Sequence, residues 1–419
     1  MSHGKYAAGG KYYLLFILFL VFFGTAAPVS YVLVFSYFDS YLFTIDLVSP
    51  ESFVQGNWYT LSATLLLLHA AYLLRPTTAN RMEIKWHESE YVRFRYLLFF
   101  LAVVAIGTNI LLDLLYGRSQ LNLTPQRPPL AVYLGYFSAG LSFSGIVIVM
   151  FTLLLYKKID RLAFIVILLM LIQSISSWSR SGIINIVFYI LLGLAYSSPT
   201  FSQISFSKVA FILLAGVIAV ALGDIARGAE PFQIFFNVLS RFYENNQTLY
   251  LAVENPSKVY EILMEGQPSV LLQQMFSFAI ERTEYPSSVR LLEYWGGSVS
   301  PDERGHMAGY AYGWLGLTFG MFGWSGLIFI YAFFLLAFLL LRAMSRRITL
   351  VNIVFFIYVS SILLEFFGNL GLDSFVEKLF KGFLYSVSYI LFIATIALLA
   401  GRSAGRSHHF GARLKEVTP

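Results

Sequence analysis

From Tyr12 to Phe38 the chain carries no charged side chain, and about nine further apolar stretches follow it. A helix crossing the hydrocarbon layer needs about 20 mostly apolar residues. In lipid, only helices and closed barrels satisfy their own backbone hydrogen bonds, so unbroken apolar runs of this length point to a helical bundle. The runs fall at roughly 12–38, 57–74, 96–116, 131–156, 162–177, 182–197, 208–225, 311–341, 350–368 and 382–400. The first is too long for the apolar region of a signal peptide and reads as a retained span. Composition agrees: of 419 residues 58% are hydrophobic, 17% aromatic and 12% charged, where a soluble domain carries about 25% charged residues. The expected fold class is therefore all-α, a polytopic membrane protein of about ten transmembrane helices. With no cysteine in the chain, disulfides, thiolate nucleophiles and zinc–thiolate sites are excluded.

Orientation follows from lysine and arginine, which favour the cytoplasmic side of short loops. The connections 75–95, 157–161 and 342–347 are basic, whereas 39–56 holds Asp39, Asp46 and Glu51 and no base. With both termini cytoplasmic, 18 of the 29 bases lie inside and 11 outside. The inner face then carries 18 bases against 5 acids, or +13, and the outer face 11 against 18, or −7. The overall +6 is thus mostly membrane orientation. The expected organisation is transmembrane helices 1–7 over residues 1–223, a large outer loop over 224–307, helices 8–10 over 308–400 and a basic cytoplasmic tail from 401 to 419. Loops as long as the outer one are usually functional or disordered. Apolar periodicity at 232–243, 270–280 and 287–295 predicts a helical cap on the outer face.

Bases that remain outside despite the orienting rule need a reason, and eight of the 11 are arginines: Arg118, Arg127, Arg180, Arg227, Arg241, Arg282, Arg290 and Arg304. A guanidinium grips phosphate oxygens in a planar, bidentate fork. Pairing with loop carboxylates or snorkelling to headgroups is the alternative for each. Arg180 lies at a tight hairpin near membrane depth, where a charge is costly; Ser179 and neighbouring hydroxyls accompany it, and Asp113 or Glu365 could instead tie it down. Asp224 and Arg227 share a helix face at i and i+3 and either pair or leave the base oriented outward. Glu281, Arg282, Glu284 and Arg290 form a charged cluster, and His306 precedes the eighth span. An imidazole there could take a proton from a hydroxyl or serve structure. Glycines at 313, 316, 320, 323 and 326 form one small-residue face, fit for close helix packing or for a polyprenyl groove. No Walker loop, His-Glu-x-x-His, Gly-x-Ser-x-Gly or metal-spaced His/carboxylate cluster occurs.

The spans, the hairpin Ser179-Arg180-Ser181-Gly182, the turn Asp224-Ile225-Ala226-Arg227-Gly228, the large outer loop and the glycine-rich span after it resemble O-antigen polymerases of the Wzy type. These belong to the polyprenol-dependent integral-membrane glycosyltransferases. The resemblance implies a bacterial inner-membrane enzyme that joins undecaprenyl-diphosphate-linked oligosaccharide units at the periplasmic face. It implies diphosphate binding by Arg180, Arg227, Arg241, Arg282, Arg290 and Arg304, with Asp224 and Ser179 in support. The general base is expected among His306, Glu281 and Glu284. No metal or cofactor is required, because the donor is already activated by its leaving group. The expected partners are the lipid-linked glycan, membrane lipid and a chain-length regulator, with no nucleic acid. An O-antigen ligase acting on lipid A core shares the chemistry. A lipid-linked-oligosaccharide flippase is the alternative from another class, although it would want bases along a path through the spans.

Overall fold

The computed structural model describes residues 12–21, 48–75, 88–116, 128–156, 159–176, 180–197, 248–264, 267–275, 290, 313–346, 349–367 and 372–415, together with helical positions at Leu214, Ile218 and Ala221. These residues are almost entirely helical, with no strand among them. In chain order the helices are α1 Tyr12–Val21, α2 Pro50–Leu73, α3 Glu88–Tyr116, α4 Pro129–Phe151, α5 Arg161–Ser176 and α6 Arg180–Tyr196. There follow α7 over 248–254, α8 Pro256–Met264, α9 Gln267–Met275, α10 Gly313–Phe322, α11 Gly326–Ser345, α12 Leu350–Phe367 and α13 Leu372–Lys415. Four apolar stretches have membrane-crossing length, Phe94–Tyr116, Tyr133–Leu154, Gly313–Ser345 and Phe375–Ile396, and shorter apolar helices accompany them. The chain is an all-helical membrane protein.

Local sequence explains where several helices begin. Ser49 caps α2 by accepting a bond from the Ser52 N–H, with Pro50 in the first turn, where its missing donor costs nothing. Asp160 does the same for α5, accepting from the Ala163 N–H at 2.9 Å, and its other oxygen pairs with Arg95 of α3 at 2.8 Å. α4 continues into a π-helical turn, Thr152–Tyr156. α13 runs far beyond the expected span, starting ten residues earlier than 382 and continuing through Gly401 to Lys415.

Lipid is as apolar as leucine, so these helices are held by close packing and by polar bonds between them. Gly145 admits Val166 and Met170 of α5, and Gly193 of α6 admits Leu153. Asn109 of α3 accepts a bond from Ser138 of α4, and Ser144 bonds Tyr389 of α13 at 2.8 Å. At one end of the bundle the Tyr13 hydroxyl donates to the Ala71 carbonyl at 2.8 Å. Its ring meets Tyr196 edge-on at 6.1 Å, and Tyr196 in turn meets Phe356 at 5.4 Å. The start of α1, the ends of α2 and α6 and the first half of α12 therefore gather there.

The expected single span over 311–341 is instead two helices folded against each other. The rings of Trp314 and Phe334 lie 5.5 Å apart, whereas 20 residues of continuous helix would separate them by about 30 Å. A Cβ on Gly326 would stand 2.6 Å from the Thr318 carbonyl oxygen. The chain reverses at Gly323, whose φ of +56° is a left-handed conformation that favours glycine. The ten residues of α10 span about 15 Å, half the hydrocarbon thickness. Every residue from Gly313 to Gly320 is buried, which is the condition for ending a helix at membrane depth. The Tyr59 hydroxyl donates to Thr318 Oγ1 at 3.2 Å, tying α10 to α2.

Gly323 has no neighbour that a Cβ would strike, so Gly323→Ala isolates the backbone cost, about 1–2 kcal/mol for a left-handed alanine. Thermal unfolding in detergent is expected to show that loss, while Gly107→Ala, on α3 with equally open space, leaves stability unchanged or slightly raised. Equal behaviour of the two variants would contradict the reversal at Gly323.

Candidate functional site

The end of the bundle away from Tyr13 is built by α7 and α8 lying against α2 and α10. Three glycines make the approach possible. A Cβ on Gly56 would stand 2.7 Å from the Tyr250 ring, one on Gly316 would stand 2.9 Å from the Leu249 nitrogen, and one on Gly320 would stand 2.9 Å from Val259. Two of the five glycines on the face expected for span packing, Gly316 and Gly320, thus serve the contact with α7 and α8. Phe53 packs on Tyr250 with ring centroids 4.9 Å apart, and the Tyr250 hydroxyl donates to Asn57 Oδ1 at 3.0 Å.

Glu254, at the end of α7, locks this junction. Its Oε2 accepts from the Ser49 hydroxyl at 2.7 Å and from the Ser49 backbone N–H at 2.8 Å. The Ser49 hydroxyl, with Ser52 and the Ser49 N–H in support, holds the Glu254 carboxyl below its ordinary value. The carboxylate also faces the positive end of the α2 dipole. Ser49-Pro50-Glu51-Ser52 is a legible helix start; its distant partner Glu254 carries no such signal.

Lysine is largely neutralised on this side. Lys258 pairs with Glu261 at 3.0 Å, Lys378 with Glu365 at 3.3 Å and Lys381 with Glu377 at 2.5 Å. These are the three lysines assigned outward. Glu365, one of the two carboxylates considered for Arg180, is engaged by Lys378. Arg180 is the first residue of α6. Arg290 occupies a helical position, and its Nε and Nη2 atoms are shielded from solvent. Ser179, Asp224, Arg227, Arg241, Glu281, Arg282, Glu284, Arg304 and His306 lie outside the described residues, as do the expected cap helix at 232–243 and nearly all of the expected cap helix at 287–295 and of the expected span at 208–225. Of the expected cap helices, that at 270–280 corresponds to α9, which begins three residues earlier and packs along α13. α7 and α8 are additions to the expected cap helices; α8 is amphipathic, burying Val259, Ile262 and Leu263. Among the described residues no three His, Cys, Asp or Glu side chains assemble as a metal site.

Because the Glu254 carboxyl is depressed, its stabilisation is present above the ordinary carboxylate value of 4.5 and is lost as pH falls through the lower folded-state value. Glu254→Gln is expected to lower stability by about 1 kcal/mol at neutral pH, with the difference from wild type closing in thermal scans taken below pH 4.5. A difference that stays constant down to pH 3, or so, would contradict the Glu254–Ser49 lock. Compared with known proteins, the chain matches no family pattern, no curated protein and no solved structure.

Proposed function

We propose that the chain polymerises undecaprenyl-diphosphate-linked oligosaccharide repeat units at the periplasmic face of the bacterial inner membrane, with both termini cytoplasmic. The observation that carries this reading is the choice of cation. On a face of net −7, eight of 11 bases are arginines, and the three lysines are each engaged by a carboxylate. Bulk charge cannot recruit an anionic carrier there, so individual guanidinium groups must hold it.

The chemistry needs few groups. A hydroxyl at the non-reducing end of the acceptor unit attacks the anomeric carbon of the donor. As that carbon–oxygen bond forms, the bond from the anomeric carbon to the diphosphate breaks and undecaprenyl diphosphate departs. A base removes the hydroxyl proton; His306, Glu281 and Glu284 are the candidates, in that order. The charge developing on the leaving oxygen is stabilised by arginine, and Arg180, Arg227, Arg241, Arg282, Arg290 and Arg304 are assigned to that task, with Asp224 and Ser179 orienting them. His306 lies seven residues before Gly313, within about 25 Å of extended chain from the start of the half-length helix. A chain-length regulator is the expected protein partner.

Arg180→Ala and Arg282→Ala are each expected to abolish chain extension in cells while a single repeat unit still reaches the core lipid. His306→Ala is expected to lower the rate by about 100-fold or more, the scale of a lost general base. Normal length ladders from both arginine variants would sink the assignment. Loss of even the single capped unit would favour the ligase reading.

A further inference from the structure

A second polar site lies at the opposite end of α2, on its lipid-facing side. Leu61, Leu65, Leu68 and Tyr72 are exposed on that helix, Leu65 by 58% and Tyr72 by 62%, and with α2 read as the second span this face meets acyl chains. His69 is exposed among them. Its Nδ1 bonds the Tyr331 hydroxyl of α11 at 2.8 Å, and the two rings stack at 5.7 Å. Assigned with the tyrosine hydroxyl donating, Nδ1 is the acceptor and Nε2 carries the imidazole proton. With Nδ1 engaged and His69 exposed, Nε2 gains from an acceptor supplied by lipid, because in hydrocarbon a polar group without a partner is costly. Three residues on, Tyr72 shares the His69 face, and the Arg75 guanidinium lies 4.6 Å above its ring. Arg75 is itself exposed at the point where α2 ends.

We propose that this strip binds an ester-linked glycerophospholipid of the leaflet on the Arg75 side. Arg75, oriented by Tyr72, holds the phosphodiester at headgroup level. His69 stands about 9 Å further along the helix toward the membrane centre and donates from Nε2 to an acyl ester carbonyl. The spacing selects the class of lipid. A glycerophospholipid carries ester carbonyls directly beneath its phosphate, whereas a polyprenyl phosphate continues there as hydrocarbon and offers His69 no acceptor. The site is separate from the glycosyl-transfer reading and stands or falls without it.

Native mass spectrometry of the full-length protein in detergent, with dioleoyl phosphatidylglycerol and its diether analogue as probes, tests the proposal. Wild type is expected to retain the ester lipid about 3–10-fold better than the diether, the scale of one neutral hydrogen bond. His69→Leu is expected to remove that preference without changing diether retention, and Arg75→Gln to weaken retention of both lipids. Equal retention of ester and diether by wild type, a comparison needing no variant, would overturn the role of His69. Unchanged retention by Arg75→Gln would overturn the phosphate site. Undecaprenyl phosphate displacing phosphatidylglycerol equally well from wild type and His69→Leu would assign the strip to the carrier lipid and refute the proposal.

Discussion

The contact on which the organisation of this protein turns is the one between Gly316 and the backbone of Thr248 and Leu249, where no side chain separates two helices. A single methyl group on Gly316 would stand 2.9 Å from a backbone nitrogen that cannot move independently. Because that contact is backbone on backbone, the cap helix α7 and the half-length helix α10 are fixed to each other. α10 is fixed in turn by the reversal at Gly323, by Tyr59 on Thr318 and by the rings of Phe334 and Phe366 around Trp314. The Glu254–Ser49 lock adds a polar tie from the cap to the first turn of α2. α7 and α8 are therefore an extension of the bundle.

The fixed placement of α7 and α8 bears on the proposed reaction. Glycosyl transfer from a lipid-linked donor requires the diphosphate, anchored at the membrane surface, and the acceptor hydroxyl to meet in fixed geometry, and such positioning accounts for a large share of a transfer barrier. The side of the membrane assigned to that reaction is acidic overall, and its lysines are spent on carboxylates. Arginine is suited to the remaining work because it stays charged and presents two parallel donors.

Part of the bundle was legible in the sequence because lipid imposes one simple rule, apolar residues for a membrane's thickness, which α3 and α4 follow at full length while α5, α6 and α12 are shorter apolar helices. The break at Gly323 was not legible. The run from Gly313 to Leu341 is apolar throughout, so hydropathy sees one span, and Gly323 reads as another member of a small-residue face until its positive φ is known. α7 and α8 lay outside the stretches expected to be helical, although α8 is amphipathic, with Val259, Ile262 and Leu263 on its buried face; the sequence does not show that this face is pressed onto Gly320 of a distant helix. Glu254 illustrates the same limit: its importance comes from Ser49, 205 residues away. The arginines stood out for the opposite reason, since a permanent charge on the side from which bases are normally excluded is conspicuous in sequence alone.

The most direct test is a reconstituted reaction. Purified full-length protein in lipid nanodiscs is given a synthetic undecaprenyl-diphosphate-linked repeat unit, with and without chelator, and the glycan and released carrier are measured by mass spectrometry. Polymerisation would yield a ladder of lipid-linked oligomers, with one undecaprenyl diphosphate released for each repeat added, in both conditions. Unchanged substrate in a preparation that stays folded, or transfer only when lipid A core is supplied, would contradict the account.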